Sequence, residues 1–233
     1  MIIFKNKEED NYLITNYKVM FSTLNNQNNL IRQHYNRALY LKILFSRLPF
    51  SKTKFYLLVR DPFKRIESFY KDKFLRAEKS RLYKIKIGKP KLWEECTEHF
   101  FPYLGLNTSM APELISKKLT SIKFEEVMSI LPEVFMKDGH MFPQHNAKQI
   151  SIKKFGMLFK IPINFEKIYK LESQKDLMEM AKVFNIDINI KHNNSNSNTE
   201  LIDWSAKSIE ITEKIYRKDF EYFGYEKKSK TPS

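Results

Sequence analysis

Arg60 and Ser68, eight residues apart, are the side chains best suited to chemistry, and the chemistry they suit is anion binding. Arg60 follows residues 55–59, an apolar run with the length and composition of a buried strand. Asp61 and Pro62 then occupy the positions of a helix N-cap and a first helical residue. The pattern predicts an arginine between a strand end and a helix N-terminus, where a phosphate-like group could bind. A solvated basic face on an ordinary strand–helix unit fits the same pattern.

The composition indicates a globular protein with acidic partners. The chain has 233 residues, a net charge of +14 and 42% hydrophobic residues, which suits one domain with a substantial core. The charge suits nucleic acid, a sulfated or phosphorylated glycan, a polyanionic nucleotide or an anionic membrane surface. We expect no nucleic-acid partner, because the sequence has no zinc-finger spacing, RNP-like motif or long Lys/Arg block. Cys96 is the single cysteine, which excludes an internal disulfide and a cysteine-rich metal site.

The sequence also bears on the compartment. No apolar run reaches the length of a transmembrane helix. Residues 1–10 are interrupted by Lys5, Lys7 and three acids, and so lack the apolar region of a signal peptide. The lack of a signal peptide and the composition rich in Asn and Lys favour a bacterial cytoplasmic protein. Peripheral contact with an anionic membrane is compatible with this location. A lumenal domain of a membrane-anchored enzyme is the alternative.

Residues 59–74, VRDPFKRIESFYKDKF, resemble the 3′-phosphate-binding segment of sulfotransferases that use 3′-phosphoadenosine-5′-phosphosulfate (PAPS). The likeness is greatest to carbohydrate sulfotransferases of the chondroitin and HNK-1 type. It implies that Arg60 and Ser68 hold the 3′-phosphate of the nucleotide. Residues 138–144, DGHMFPQ, and 214–225, KIYRKDFEYFGY, resemble two further segments of the same family.

The resemblance also implies a loop that wraps the 5′-phosphosulfate with a lysine and backbone N–H groups. We expect residues 17–23 to form the first strand and a helix to begin at Leu30, with this loop between them. That alignment places Leu24 where the family has its catalytic lysine. Without the charge of that lysine on the transferring group, the rate should fall on the order of a hundredfold. The residues expected to cradle the 5′-phosphosulfate are Asn26, Gln27, Asn28 and Asn29.

Two histidines are candidates for the base that a hydroxyl nucleophile needs. His34 is the leading candidate, by resemblance to uronyl-type sulfotransferases, and a surface histidine on the first helix is the alternative. His140 lies in the DGHMFPQ motif and either lines the acceptor pocket or packs in a fixed turn. We expect no metal, because the spacing of His140 and His145 does not suit one helix face and no third ligand is evident.

Periodicity supports a mixed α/β class, and the resemblance implies a single-domain P-loop-like fold with a mostly parallel central sheet flanked by helices. The domain would span residues 1–233, with a core of about 17–225 and a disordered tail at 226–233. The implied activity is sulfuryl transfer from PAPS to a carbohydrate hydroxyl on a polysaccharide or glycolipid. The alternative is a catalytically weak or inactive nucleotide- or polyanion-binding protein on the same scaffold. A kinase is disfavoured, because the sequence contains no G-x-x-x-x-G-K-[ST] motif.

Overall fold

The computed structural model describes residues 1–34, 36–154, 157–188 and 202–230. The chain divides into two compact units, Met1–Asp61 with Gln144–Thr199, and Pro62–Pro143 with Glu200–Ser233. Within the described ranges, no helix is both long and apolar enough to cross a membrane.

The strands, in chain order, are β1 (Ile2–Asn6), β2 (Asn11–Thr15), β3 (Leu30–Gln33), β4 (Lys54–Val59), β5 (Gln149–Lys154), β6 (Met157–Pro162) and β7 (Lys167–Lys170). The helices are α1 (Phe21–Asn25), α2 (Arg37–Phe45), α3 (Pro62–Tyr70), α4 (Ala77–Lys86), α5 (Glu95–Glu98), α6 (Pro112–Ser121), α7 (Phe124–Val134), α8 (Gln174–Phe184), α9 (Ala206–Ile215) and α10 (Arg217–Phe223). A π-helical turn, Lys71–Leu75, follows α3, and 3-10 turns lie at Phe101–Leu104, Gln144–Lys148 and Lys228–Lys230.

The first unit is built on a five-stranded sheet with the order β3-β1-β2-β4-β7. β1 is antiparallel to both β2 and β3, whereas β2, β4 and β7 run parallel to one another. β1 and β2 form a hairpin because both are largely apolar and buried, while the charged residues 7–10 between them are at least partly exposed. The predicted α/β class is confirmed, and the sheet flanked by helices is mixed.

The core of the first unit packs the sheet against α1 and α8. Tyr56 of β4 and Tyr169 of β7 stack with ring centroids 5.8 Å apart, and Phe184 of α8 meets Tyr56 edge-on at 5.3 Å. Ser173 caps α8, because its hydroxyl accepts the amide of Asp176 at 3.2 Å. β5 and β6 form a separate antiparallel hairpin in which Gln149 pairs with Pro162.

Two predictions for the start of the chain were wrong. Residues 17–23, expected to be the first strand, form a turn and the beginning of α1, and the helix expected from Leu30 is preceded by β3. The helix starts at Arg37 because the side chain of Asn36 accepts the amide of Leu39 at 2.9 Å and caps it. The buried strands β1 and β2 extend the core upstream to Ile2.

The second unit is helical, and its first helix follows the predicted pattern. α3 begins at Pro62, and the predicted apolar stripe is buried, as expected, at Phe63, Ile66, Tyr70 and Phe74. Phe63 packs edge-on against Trp204, with ring centroids 4.9 Å apart. The stripe therefore anchors α3 in the core of this unit.

The C-terminal segment closes the second unit. Gly224, at φ 60°, ends α10 in the left-handed conformation that favours glycine. Of the tail expected to be disordered, residues 226–230 are described, and the amide of Ser229 donates to Glu213 Oε1 at 3.0 Å. Residues 231–233 lie outside the described residues.

Candidate functional site

The parallel strands of the first unit end at one edge of its sheet. β2 ends at Thr15, β4 at Val59 and β7 at Lys170. The register places Ile14 opposite Leu57, and Val59 opposite Lys170, so the three ends are close to level. In open α/β sheets, ligands bind beyond the carboxyl ends of the parallel strands. The segments that follow these strands are therefore the candidates for a site.

Residues 16–20 form the turn between β2 and α1, with Lys18 at the centre. Lys18 has φ 67° and Met20 has φ 52°, a left-handed backbone that is uncommon outside glycine. The buried hydroxyl of Thr15 donates to the carbonyl oxygen of Leu58 at 3.2 Å, which ties the start of the turn to β4. Backbone in this conformation is concentrated at binding and catalytic sites, where surrounding contacts hold it in place.

Arg60 follows β4 and directs its side chain back to this turn. Its Nη1 donates to the carbonyl oxygen of Lys18 at 3.0 Å. Arg60 is half-buried, so its charge acts through a medium of lower dielectric constant than bulk water. The guanidinium of one cationic residue is thus bonded to the backbone of another at the carboxyl edge of the sheet.

The backbone of Arg60 is held by the amide side chain of Gln144. The Arg60 amide donates to Gln144 Oε1 at 2.9 Å, and Gln144 Nε2 donates to the Arg60 carbonyl oxygen at 2.6 Å. Gln144 is only 1% exposed. The next amide, that of Asp61, donates to Glu172 Oε1 at 3.0 Å. These side chains satisfy backbone groups where the strand ends, and so fix the direction in which Arg60 leaves the sheet.

The position predicted for the phosphosulfate loop rests on the strand expected at residues 17–23, which is not present. Leu24, aligned with the loop lysine on that basis, is fully buried on α1 in the core of the first unit. The parallel strand ends earlier, at Thr15, and the turn that follows it contains Lys18. The alignment of Leu24 with the loop lysine therefore loses its basis, and the position of the phosphosulfate loop stays a prediction.

The residues expected to cradle the phosphosulfate lie at the other edge of the sheet: Asn26, Gln27, Asn28 and Asn29. Leu30, which follows them, pairs with Asn6 at the end of β1, beside the start of β2. Gln27 is buried, and its Nε2 donates to the carbonyl oxygen of Asp187 at 3.0 Å while its Oε1 accepts the Asp187 amide at 3.2 Å. These contacts tie the turn after α1 to the chain after α8. They do not support a role for Gln27 in binding a ligand beside Arg60.

His34 follows β3 directly and does not lie on a helix as expected. Gln33 and Ile14 both pair with Ile3, so β3 and β2 are parallel and end at about the same level. Because His34 follows Gln33, it lies at the same edge of the sheet as the turn that contains Lys18, and it is exposed. Its role as a base stays a prediction that this position favours.

Ser68 lies on α3, in the second unit, and is half-buried. It sits about two helical turns after Pro62, as the sequence predicts. Arg60 belongs to the first unit, so the joint binding of a 3′-phosphate by Arg60 and Ser68 stays a prediction.

His140, in the second unit, has a carboxylate beside each ring nitrogen. Its Nδ1 lies 2.5 Å from Asp138 Oδ1, and its Nε2 lies 3.6 Å from Glu94 Oε2. Burial raises the pKa of Asp138, but the hydrogen bonds with His140 outweigh burial and lower that pKa overall. The arrangement favours the interpretation of His140 as a packing residue, and its role as a base stays a prediction.

Arg65 and Tyr216 fasten the loop that contains His140. The buried Arg65 donates through Nη2 to the carbonyl oxygen of Phe142 at 2.6 Å. Tyr216 donates its hydroxyl to the carbonyl oxygen of Met141 at 2.8 Å, and burial raises the pKa of Tyr216 to about 12. Tyr216 therefore stays a neutral donor. All three segments that resemble the family contribute to this packing.

Glu94, Cys96 and His140 bring potential ligand atoms within 4.8 Å of one another, a spacing compatible with a metal ion. Two ammonium groups already face the carboxylate, with Lys73 Nζ at 2.7 Å and Lys84 Nζ at 3.9 Å from Glu94 Oε1. Burial lowers the pKa of Lys73, but the neighbouring carboxylates outweigh burial and raise it, so Lys73 is charged. We assign no metal here, because a divalent cation would meet this positive charge, and the expected lack of a metal stays a prediction.

Sequence reasoning did not place Lys18 or Gln144 beside Arg60. The signal for Lys18 is the pair of apolar runs at residues 2–4 and 12–14, which are separated by charged residues and are typical of a hairpin. Gln144 and Arg60 are 84 residues apart, and no local pattern connects them.

A family model described as "Sulfotransferase family" matches residues 4–226, a range that includes Lys18, Arg60 and His140. The chain belongs to the sulfotransferase family. This membership supports sulfuryl transfer as the activity of the enzyme and agrees with a P-loop-like fold. No curated protein and no solved structure matches the sulfotransferase significantly.

Proposed function

We propose that this sulfotransferase moves a sulfuryl group from PAPS to a hydroxyl of a carbohydrate, leaving adenosine 3′,5′-bisphosphate. The observation that carries the proposal is the bond from Arg60 to the backbone of Lys18 at the carboxyl edge of the sheet. Two cationic residues at that edge suit a donor with several negative charges. In PAPS the sulfuryl group is bonded to the 5′-phosphate, which departs as part of adenosine 3′,5′-bisphosphate.

Lys18 and its turn would hold the 5′ end of the donor. Turns with left-handed residues can direct several backbone N–H groups toward one anion. The Lys18 ammonium would neutralise negative charge on the oxygens of the transferring group, which is where a preorganised charge contributes most to rate. By the resemblance, Arg60 and Ser68 would hold the 3′-phosphate.

On the acceptor side, the reaction needs a base for the proton of the acceptor hydroxyl. As the acceptor oxygen attacks sulfur and the bond from sulfur to the phosphate oxygen breaks, a base takes the hydroxyl proton. His34 is the first candidate because it lies at the edge that carries Lys18, and His140 is second because carboxylates already face both of its ring nitrogens. A polysaccharide or glycolipid acceptor rests on the resemblance of residues 59–74 and 138–144 to carbohydrate sulfotransferases.

The alternative of an inactive binding protein drew its support from Leu24 at the lysine position. Leu24 is a core residue, so that support is withdrawn. The alternative still makes a distinct prediction, namely nucleotide binding with no transfer.

A thermal-shift titration tests the donor site. Adenosine 3′,5′-bisphosphate should stabilise the protein by about 2.7 kcal/mol when present at about a hundred times its Kd. ATP and a UDP-sugar at the same concentration serve as controls and should shift the Tm much less. Ser68→Ala should weaken the response to the bisphosphate. No stabilisation by the bisphosphate would contradict the proposal.

Transfer of labelled sulfate from PAPS to a panel of glycans tests the role of Lys18. Lys18→Ala should lower kcat by about a hundredfold, because a positioned charge at the reacting group is lost. Lys7→Ala is the matched control, since Lys7 is exposed and its amide bonds Asn29 at the opposite edge of the sheet. Full turnover in Lys18→Ala would refute the assignment, and bisphosphate binding without turnover in the parent would favour the inactive binding protein.

A further inference from the structure

Helix α2 is apolar on two opposite faces. Leu39 and Ile43 are buried, whereas Leu41, Leu44 and Phe45 are exposed. At about 100° per residue, the three exposed side chains fall within about 100° of one another and roughly opposite the buried pair. Packing against the first unit thus accounts for one face and leaves the other in water.

The chain after α2 extends this exposed face. Leu48 is exposed, and Phe50 is 80% exposed, the highest exposure among the large apolar side chains of the described residues. We call these side chains the α2 patch: Leu41, Leu44, Phe45, Leu48 and Phe50. Single exposed apolar residues are ordinary, but a run of five on one helix and its following turn marks an interaction surface.

The chain segment that carries the patch contributes charge of one sign, and the neighbouring Asp10 carboxylate is already paired with Lys42 of α2. Residues 11–60 contain eight lysines and arginines and no aspartate or glutamate. Three of the cations are exposed in or beside the patch: Arg37, Arg47 and Lys52. The partner of this surface must therefore offer negative charge together with an apolar interior.

We propose that the α2 patch docks on an anionic phospholipid bilayer. Headgroup phosphates would meet the basic residues, and Phe45 and Phe50 would enter the boundary between headgroups and acyl chains. A second copy of this chain fits less well, because it would bring the same positive charge to the contact. The docking is a property of the surface and does not depend on the transfer reaction.

Flotation with vesicles tests the proposal on the full chain. The protein should float with vesicles of phosphatidylcholine and phosphatidylglycerol and remain at the bottom with phosphatidylcholine alone. Raising the salt from about 0.05 M to about 0.5 M should reduce the bound fraction, because screening weakens surface electrostatics. No flotation with the anionic vesicles at low salt would overturn the proposal.

Paired variants separate the patch from other exposed apolar residues. Phe45→Ser with Phe50→Ser should weaken vesicle binding about tenfold or more, since each ring loses its burial in lipid. Leu114→Ser with Met178→Ser is the control: these side chains are 57% and 61% exposed, lie beside Glu113 and Glu179, and should bind as the parent does.

A charge variant and a mass measurement complete the test. Arg37→Gln and Lys52→Gln should each lower affinity about fivefold, the effect of roughly one basic residue near an anionic surface. All variants should keep the parent Tm and its response to adenosine 3′,5′-bisphosphate, which keeps this test independent of the proposed reaction. If the phenylalanine variants bind vesicles normally, or instead convert an oligomer to a monomer in light scattering, the patch is not a lipid surface.

Discussion

Replacing Gln144 with alanine should release the backbone of Arg60 from the two hydrogen bonds that hold it at the end of β4. The parent side chain accepts the Arg60 amide at 2.9 Å and donates to the Arg60 carbonyl oxygen at 2.6 Å, with almost no exposure to water. Gln144→Ala removes both bonds, and a buried backbone group left without a partner costs about 1–3 kcal/mol. We expect the free energy of unfolding to fall by about 2–4 kcal/mol, with the lower end applying if water refills the space.

Gln27→Ala is a matched control for this change. Gln27 is also a buried glutamine with a bidentate backbone contact, in its case to Asp187. Both variants should lose similar stability in urea unfolding. Only Gln144→Ala should also weaken the thermal shift with adenosine 3′,5′-bisphosphate, because only Gln144 orients Arg60.

Two results would refute this reasoning. A loss of less than about 0.5 kcal/mol in Gln144→Ala would mean that the two bonds contribute little to stability. A loss of bisphosphate affinity in Gln27→Ala equal to that in Gln144→Ala would mean that binding follows general stability, or that the turn before β3 contacts the nucleotide after all.

Two further predictions concern the second unit. Arg65→Met should lower the free energy of unfolding by about 1–3 kcal/mol, because it leaves the carbonyl oxygen of Phe142 without its donor, whereas Arg217→Met at an exposed site should not. Equal urea midpoints for the two variants would contradict the role of Arg65. The second prediction concerns Glu94: burial raises its pKa, but Lys73 and Lys84 outweigh burial and lower the pKa in the folded state. The ionised carboxylate therefore stabilises the fold above about pH 4.5, and this stabilisation is lost as the pH falls through the folded pKa. Glu94→Gln should be less stable than the parent by about 1–2 kcal/mol at pH 7, and this difference should disappear toward pH 3. The effect is modest because Glu94 is more than a third exposed and solvent screens its ion pairs. A gap that stays constant with pH would show that Glu94 acts through packing alone.

The strand–helix unit around Arg60 could be predicted because its signals are local. The apolar run that became β4, the proline at the first position of α3 and the stripe from Phe63 to Phe74 each act over a few residues. The N-terminal hairpin was not predicted, because its two strands are only five residues long and give a weak local signal. That omission moved the predicted first strand downstream, and with it the position predicted for the phosphosulfate loop.

The sequence by itself determined the α/β class, the start of α3 and the likeness to sulfotransferases, since capping, periodicity and motif spacing are properties of neighbouring residues. Only the tertiary structure decided which turn lies beside Arg60. Lys18 is 42 residues from Arg60 and Gln144 is 84 residues from it, and both reach it because of the order in which distant strands pair. Strand order follows from burying the apolar faces of the whole chain together, so no short segment carries the information.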